Sequence, residues 1–96
     1  MITGSIRNGR LIITLDRPEK ANALTAEMLR DLVQIVTDAG QKPEISTLIL
    51  TGNGRVFSAG ADLDEIRGTD LATSPLWEEL SNAIATTPVP TIAALN

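Results

Sequence analysis

Residues 57–64 read F-S-A-G-A-D-L-D, and they carry the groups best suited to chemistry in this chain. A bulky apolar residue is followed by Ser58, Ala59, Gly60 and Ala61, a run with almost no side chain. Asp62 fits an N-cap, because its carboxylate can accept from an otherwise orphaned amide of the next turn. Leu63-Asp64-Glu65-Ile66 continues as a short helix with acidic residues in its first turn, where the macrodipole favours them. Small residues ahead of a helix let a ligand approach the backbone and its free N–H groups. Such a turn can hold an anion, or an oxygen on which charge develops during a reaction. The same spacing also suits an ordinary strand-to-helix turn kept small for packing. Asp62, Asp64 and Glu65 form a tempting acid–base set, yet capping and first-turn placement account for all three.

The elements that must position this run belong to a short chain. Its 96 residues allow one small domain with one core. A 43% apolar content and a mean hydropathy of +0.09 make it globular rather than disordered. Phe57 and Trp77 are the aromatic residues, so the core must be aliphatic. A net charge of −4, with scattered lysines and arginines, argues against a nucleic-acid phosphate backbone as partner. Cysteine and histidine are absent, which removes disulfides, thiolate nucleophiles, imidazole bases and Cys/His metal sites from these residues. No signal peptide is recognisable and no apolar run nears membrane-spanning length. The expectation is a soluble cytoplasmic protein with no membrane partner.

Asn8-Gly9 between apolar-bearing segments is a strong hairpin signal, which predicts strands over Ile2–Arg7 and Arg10–Leu15. The second strand is nearly continuously apolar and should be well buried. Pro18 and its polar neighbours make residues 19–24 a loop. Thr25 begins the longest helix, which runs to about Ala39. Met28, Leu29, Leu32, Val33 and Val36 form its apolar face, and Gly40 is its C′ stop. Glu27 stands one position short of a full capping box. A strand follows over residues 47–51.

Gly52-Asn53-Gly54 tempts toward a dinucleotide fingerprint, but its sixth position is Phe57 and no helix opens after the glycines. A generic nucleotide-binding reading is weakened accordingly. Residues 68–73 read as a polar loop. Ser74-Pro75 starts a helix with Trp77, Leu80, Ile84 and Leu76 on its apolar face and Glu78-Glu79 on its wet one. Residues 91–95 form another buried-type strand. Alternating strands and helices place the chain in the α/β class. It stops at Asn96, directly after an apolar strand, and natural domains rarely end on a buried element with an open sheet edge. The expectation is a fragment, residues 1–96 being the N-terminal part of a larger domain.

Taken together, residues 15–24 (L-D-R-P-E-K-A-N-A-L), 51–63 (T-G-N-G-R-V-F-S-A-G-A-D-L) and 90–96 (P-T-I-A-A-L-N) resemble the crotonase family, the enoyl-CoA hydratases, isomerases and relatives. The resemblance implies a crotonase-like spiral of ββα units that binds acyl-CoA thioesters, with a complete protein that assembles as homotrimers or hexamers. It implies an enzyme of fatty acid metabolism, with family frequency favouring an enoyl-CoA hydratase, a lyase. No cofactor is implied beyond the coenzyme A that the substrate carries.

In the family, the residue after the A-G pair donates its backbone N–H to the thioester carbonyl; here that residue is Ala61. The second donor of this oxyanion hole, and the catalytic acids, fall past Asn96. Contacts to CoA match Lys20, Ala21 and Ala23 in the first loop and Ala59, Ala61, Asp62, Leu63 and Asp64 in the second. Some members carry lysine where Asp64 stands, so Arg17, Lys20, Arg55 and Arg67 are the alternative cations. Trp77 belongs to the core or an acyl-pocket wall, and some members place a substrate-facing group near Glu78-Glu79. Hydration, isomerisation, hydrolysis, dehalogenation and ring formation share the residues present here. Against the enzyme stands a binding or interaction fragment, which holds a thioester or pairs through its sheet edge without turnover.

Overall fold

A computed structural model describes residues 1–68 and 70–96. Asn8 and Gly9 take φ of +52° and +79°, the paired positive values of a type I′ turn. They join β1 (Ile2–Arg7) to β2 (Arg10–Leu15), antiparallel, with Arg7 opposite Arg10 and Ile2 opposite Leu15. Both strands occupy the residues expected from the sequence. Burial in β2 alternates rather than running continuously: Leu11, Ile13 and Leu15 are buried, whereas Ile12 and Thr14 are half-buried. The helices cover one face of this sheet, so period two decides which side chains reach the core.

The longest helix, α1, spans Ala26–Ala39, with Thr25 as its cap: the hydroxyl accepts from the Met28 N–H at 3.1 Å. Met28, Leu29, Leu32, Val36 and Ala39 are its buried face. Val33, expected there, is half-buried at the margin, and Ile35 packs on the core from the other flank. Gly40 is not a left-handed stop, because its φ is −64°. The chain instead tightens into 3₁₀-type bonds, with the N–H groups of Gln41 and Lys42 donating to the carbonyls of Asp38 and Ala39. The glycine is needed for room: an added Cβ would lie 3.1 Å from Thr87 Oγ1 and 3.2 Å from Pro88 Cδ.

β3 (Thr47–Gly52) pairs parallel with β2, and β4 (Thr91–Ala94) pairs parallel with β3, giving a mixed sheet in the order β1-β2-β3-β4. Between them lie α2 (Leu63–Gly68) and α3 (Pro75–Thr86), the latter packed on α1. Ser74 caps α3, accepting from the Leu76 N–H at 3.2 Å, and Pro75 takes the first helical position. Leu76, Trp77, Leu80 and Ile84 pack on the core, and Glu78 and Glu79 are exposed.

Three expectations need revision. Residues 18–20 are a short 3₁₀ turn rather than plain loop, because Pro18 supplies the fixed φ of a first turn. Of the expected polar loop 68–73, Thr69 lies outside the described residues, Leu71–Thr73 is a second 3₁₀ turn, and Leu71 is core at 2% exposure. Finally, β4 is not buried: Ile92 is 52% exposed, since β4 is the outer strand of the sheet and only β3 flanks it.

Because β2, β3 and β4 are parallel, their carboxyl ends share one side of the sheet, where ligand sites of α/β folds form. The motif-bearing segments after Leu15 and Gly52 leave from that side. Leu29, 0% exposed, tests the packing beneath them. Leu29→Ala is expected to cost about 2–5 kcal/mol in chemical denaturation with an unchanged m-value. A loss below about 1 kcal/mol would mean that α1 does not pack on the sheet as described.

Candidate functional site

Two loops meet above the carboxyl ends of β2 and β3. The first turns left-handed twice in succession, at Ala21 (φ +51°) and Asn22 (φ +55°). Asparagine tolerates that region and alanine resists it, so the loop is held by its bonds rather than by propensity. Asn22 is 0% exposed and supplies most of them. Its Oδ1 accepts from the Arg17 N–H at 2.8 Å, and its Nδ2 donates to the carbonyls of Asn53 at 2.9 Å and Val56 at 2.7 Å. Its own carbonyl accepts from Ser58 Oγ at 2.9 Å. Gly52 makes the approach possible, since a Cβ there would lie 2.8 Å from both Asn22 Nδ2 and the Val56 carbonyl oxygen. From the other side, Asn96 Nδ2 donates to the carbonyls of Gly52 and Gly54, each at 2.6 Å.

The loops then run side by side as a short parallel ladder. The Ala59 N–H donates to the Ala21 carbonyl at 2.9 Å, Leu24 N–H to Gly60 at 2.6 Å, and Asp62 N–H to Leu24 at 2.9 Å, with Leu24 opposite Ala61. A trans peptide sets its C=O and N–H on opposite sides. The Gly60 carbonyl points at Leu24, so the Ala61 N–H of the same peptide points away from it. That N–H meets no acceptor among the described residues. Ala61 itself lines a cavity of about 360 Å³, together with Lys20, Ala23, Ala59, Asp62, Leu63, Asp64 and Arg67. This volume lies within the range of small-molecule sites.

Seven of the eight residues assigned to the CoA site thus line one cavity. Ala21 does not: it borders a separate depression with Pro18, Asn53 and Arg55, and reaches the first loop's partner only through its carbonyl. Arg55 is therefore away from the cavity, whereas Lys20 and Arg67 line its rim and are exposed. Arg17 is committed elsewhere. One guanidinium nitrogen donates to Asp62 Oδ2 at 2.6 Å and to the Ala23 carbonyl at 3.0 Å, with 16% of its side chain exposed. Asp62 Oδ1 accepts from the Glu65 N–H at 3.1 Å, so the expected N-cap is present and shares its carboxylate with the ion pair. The Arg17 hydrogen bond, then the Glu65 amide, hold the Asp62 carboxyl below its ordinary value, while burial opposes them. A carboxylate so held is a brace, not a general base.

Glu65 reaches further, accepting from the Ala26 N–H at 3.0 Å and so completing from another element the cap that Glu27 cannot. Trp77 donates its indole N–H to the Leu71 carbonyl at 2.9 Å and packs on the core. Asn22, the Arg17–Asp62 pair and Asn96 were not singled out from sequence. The one local sign was an asparagine in a turn-rich stretch, which suits a left-handed residue but says nothing of its distant partners. Among the described residues no cluster of three or more potential metal ligands occurs, and no helix is long and apolar enough to cross a membrane.

A sheet of this topology with loops joined over its carboxyl edge is the crotonase-type α/β arrangement. The family model for enoyl-CoA hydratase/isomerase matches residues 5–96, and the chain belongs to that family. A probable enoyl-CoA hydratase of Rhodobacter capsulatus is 40% identical over 95 residues, covering 95% of this chain and 36% of the relative. The 2,3-dehydroadipyl-CoA hydratase of Escherichia coli is 43% identical over 76 residues, covering 73% of this chain and 30% of the relative. The crystal structure of an enoyl-CoA hydratase from Mycobacterium marinum superposes with a TM-score of 0.87 at 33% identity, over 98% of this chain and 47% of the other. The chain thus spans about a third of the length of the curated relatives it matches.

Two outcomes test the site's framework. Asn22→Ala strips partners from one amide N–H and two carbonyls, and each group that water cannot reach costs about 1–3 kcal/mol. Its denaturation midpoint should therefore fall well below that of an exposed control, Gln41→Ala, and equal midpoints would contradict the clamp. For Asp62 the folded pKa lies below the unfolded one. Its contribution is complete above the ordinary carboxylate pKa and fades as pH falls through the lower native value. Asp62→Asn should lower stability at pH 7 and flatten the loss of stability below about pH 4. A variant whose acid profile parallels the parent's would show that the ion pair is not formed.

Proposed function

We propose that the polypeptide carrying this chain is an acyl-CoA enzyme of the hydratase/isomerase type, with residues 1–96 contributing the N-terminal part of its thioester-binding domain. The observation that carries this reading is the Ala61 N–H, left without an acceptor among the described residues, on a residue that lines a cavity with two cations on its rim. In a 2-enoyl thioester, attack of water at C3 moves electrons through C2 onto the carbonyl oxygen, forming an enolate. An amide aimed at that oxygen binds it more strongly as charge develops, which lowers the barrier rather than merely binding substrate. The backbone around it is fixed in advance by the Asn22 bonds, so little reorganisation accompanies the reaction.

Lys20 and Arg67 suit the phosphates of coenzyme A, where exposed cations steer and hold a polyanion through screened attraction. Asp64 works against them as an exposed carboxylate lining the same cavity. Asp62 does not add to that repulsion in full, because Arg17 neutralises it. Arg17 is thereby withdrawn from the set of phosphate-binding cations.

A second reading is a module that holds the thioester without turnover, which the same cavity and its rim cations also suit. The complete polypeptide supplied with a 2-enoyl-CoA decides between them. Hydration is expected, read as loss of the conjugated thioester's ultraviolet absorbance. The double variant Lys20→Ala, Arg67→Ala should raise KM about tenfold, less at high salt, and leave kcat nearly unchanged. Binding without turnover would favour the module. Neither binding nor turnover of 2-enoyl or 3-enoyl thioesters would end both readings.

A further inference from the structure

We propose that Ser58 is a positioning residue that sets the direction of the Ala61 N–H, an inference that rests on the reading of Ala61 as the carbonyl-binding donor. Gly60 has φ of +97°, and a Cβ built on it would meet nothing within 4 Å. Conformation, not space, requires glycine there. What holds it is two hydrogen bonds. The Leu24 N–H grips its carbonyl at 2.6 Å, and its own N–H donates to Ser58 Oγ at 3.1 Å.

Ser58 Oγ in turn donates to the carbonyl of Asn22, at 2.9 Å, so its single proton is directed and its lone pairs are left for Gly60. The relay runs from a fully buried residue, Asn22, through one hydroxyl, to the most permissive residue of the loop. Rotation about the Gly60 φ would swing the Gly60–Ala61 peptide and carry the Ala61 N–H off the cavity. The Leu24 bond holds the Gly60–Ala61 peptide on one side of that rotation and the Ser58 hydroxyl holds the Ala59–Gly60 peptide on the other, so losing either loosens the angle between them. Its side chain lines no part of the cavity, so it acts through Gly60 and not on the ligand.

Ser58→Ala removes one of the two bonds while leaving the cavity lining intact. The readout is the complete polypeptide with an aryl-conjugated enoyl-CoA, whose thioester absorbance shifts to the red when a donor polarises its carbonyl. The parent should show the shift on binding. Ser58→Ala should bind the thioester within about threefold of the parent, show a smaller red shift, and lose about tenfold in kcat, less than outright removal of a donor. Ser58→Thr, which keeps the hydroxyl, should restore both. Should Ser58→Ala not fold, Ser58→Cys, with a thiol that bonds more weakly, is read the same way. An unchanged shift and kcat per folded molecule in the alanine variant would overturn the relay while leaving Ala61 in its role. Absence of any red shift in the parent would overturn the role of Ala61 itself, and the relay with it.

Discussion

Everything above the sheet depends on one buried carboxamide. Asn22 sits at 0% exposure with three side-chain hydrogen bonds, of which the two from Nδ2 join the loop after β2 to the loop after β3. An unpaired amide at that depth would cost as much as a lost hydrogen bond or more, so the two loops either close on it together or not at all. The closure also supports two consecutive left-handed residues, of which Ala21 alone costs about 1–2 kcal/mol. Strain of this kind persists where surrounding bonds over-determine the backbone, and it is concentrated in the loop that pairs with residues 59–62.

From that clamp the rest of the site follows in sequence. Closing the loops zips residues 21–24 against residues 59–62. The ladder turns the Gly60 carbonyl inward and the Ala61 amide outward. Asp62 then starts α2 and meets Arg17 beneath it, so that the same side chain ends the ladder, caps the helix and neutralises a half-buried cation. Glu65, one turn on, ties α2 to the start of α1. The outcome is an amide tied to both loops at the edge of a cavity whose cations, Lys20 and Arg67, are exposed at the rim.

The sequence made local features readable and left distant ones hidden. Asn8-Gly9 dictated the hairpin because the turn type is decided by two adjacent residues. Thr25 and Ser74 announced their helices for the same reason. The apolar pattern located α1 but overstated Val33 and missed the role of Leu71, since membership in a core depends on where neighbouring elements lie. Gly40 follows the end of α1 as expected, but with a right-handed φ, and it also leaves room for Thr87 and Pro88 at the end of α3, which no local pattern reports. Asn22 bonds partners 31 and 34 residues distant, and Glu65 caps a helix 39 residues earlier. No periodicity reports such pairings. The family resemblance nevertheless pointed to residues that share one cavity, because their run of small side chains is legible in the sequence.

The most direct test is a crystal structure of the complete polypeptide bound to an unreactive acyl-CoA thioester. The account predicts the thioester carbonyl oxygen within about 2.7–3.1 Å of the Ala61 nitrogen, with Asn22, Ser58 and Gly60 unmoved from the arrangement described. A thioester seated elsewhere, or an Ala61 N–H turned inward onto a protein carbonyl, would contradict it.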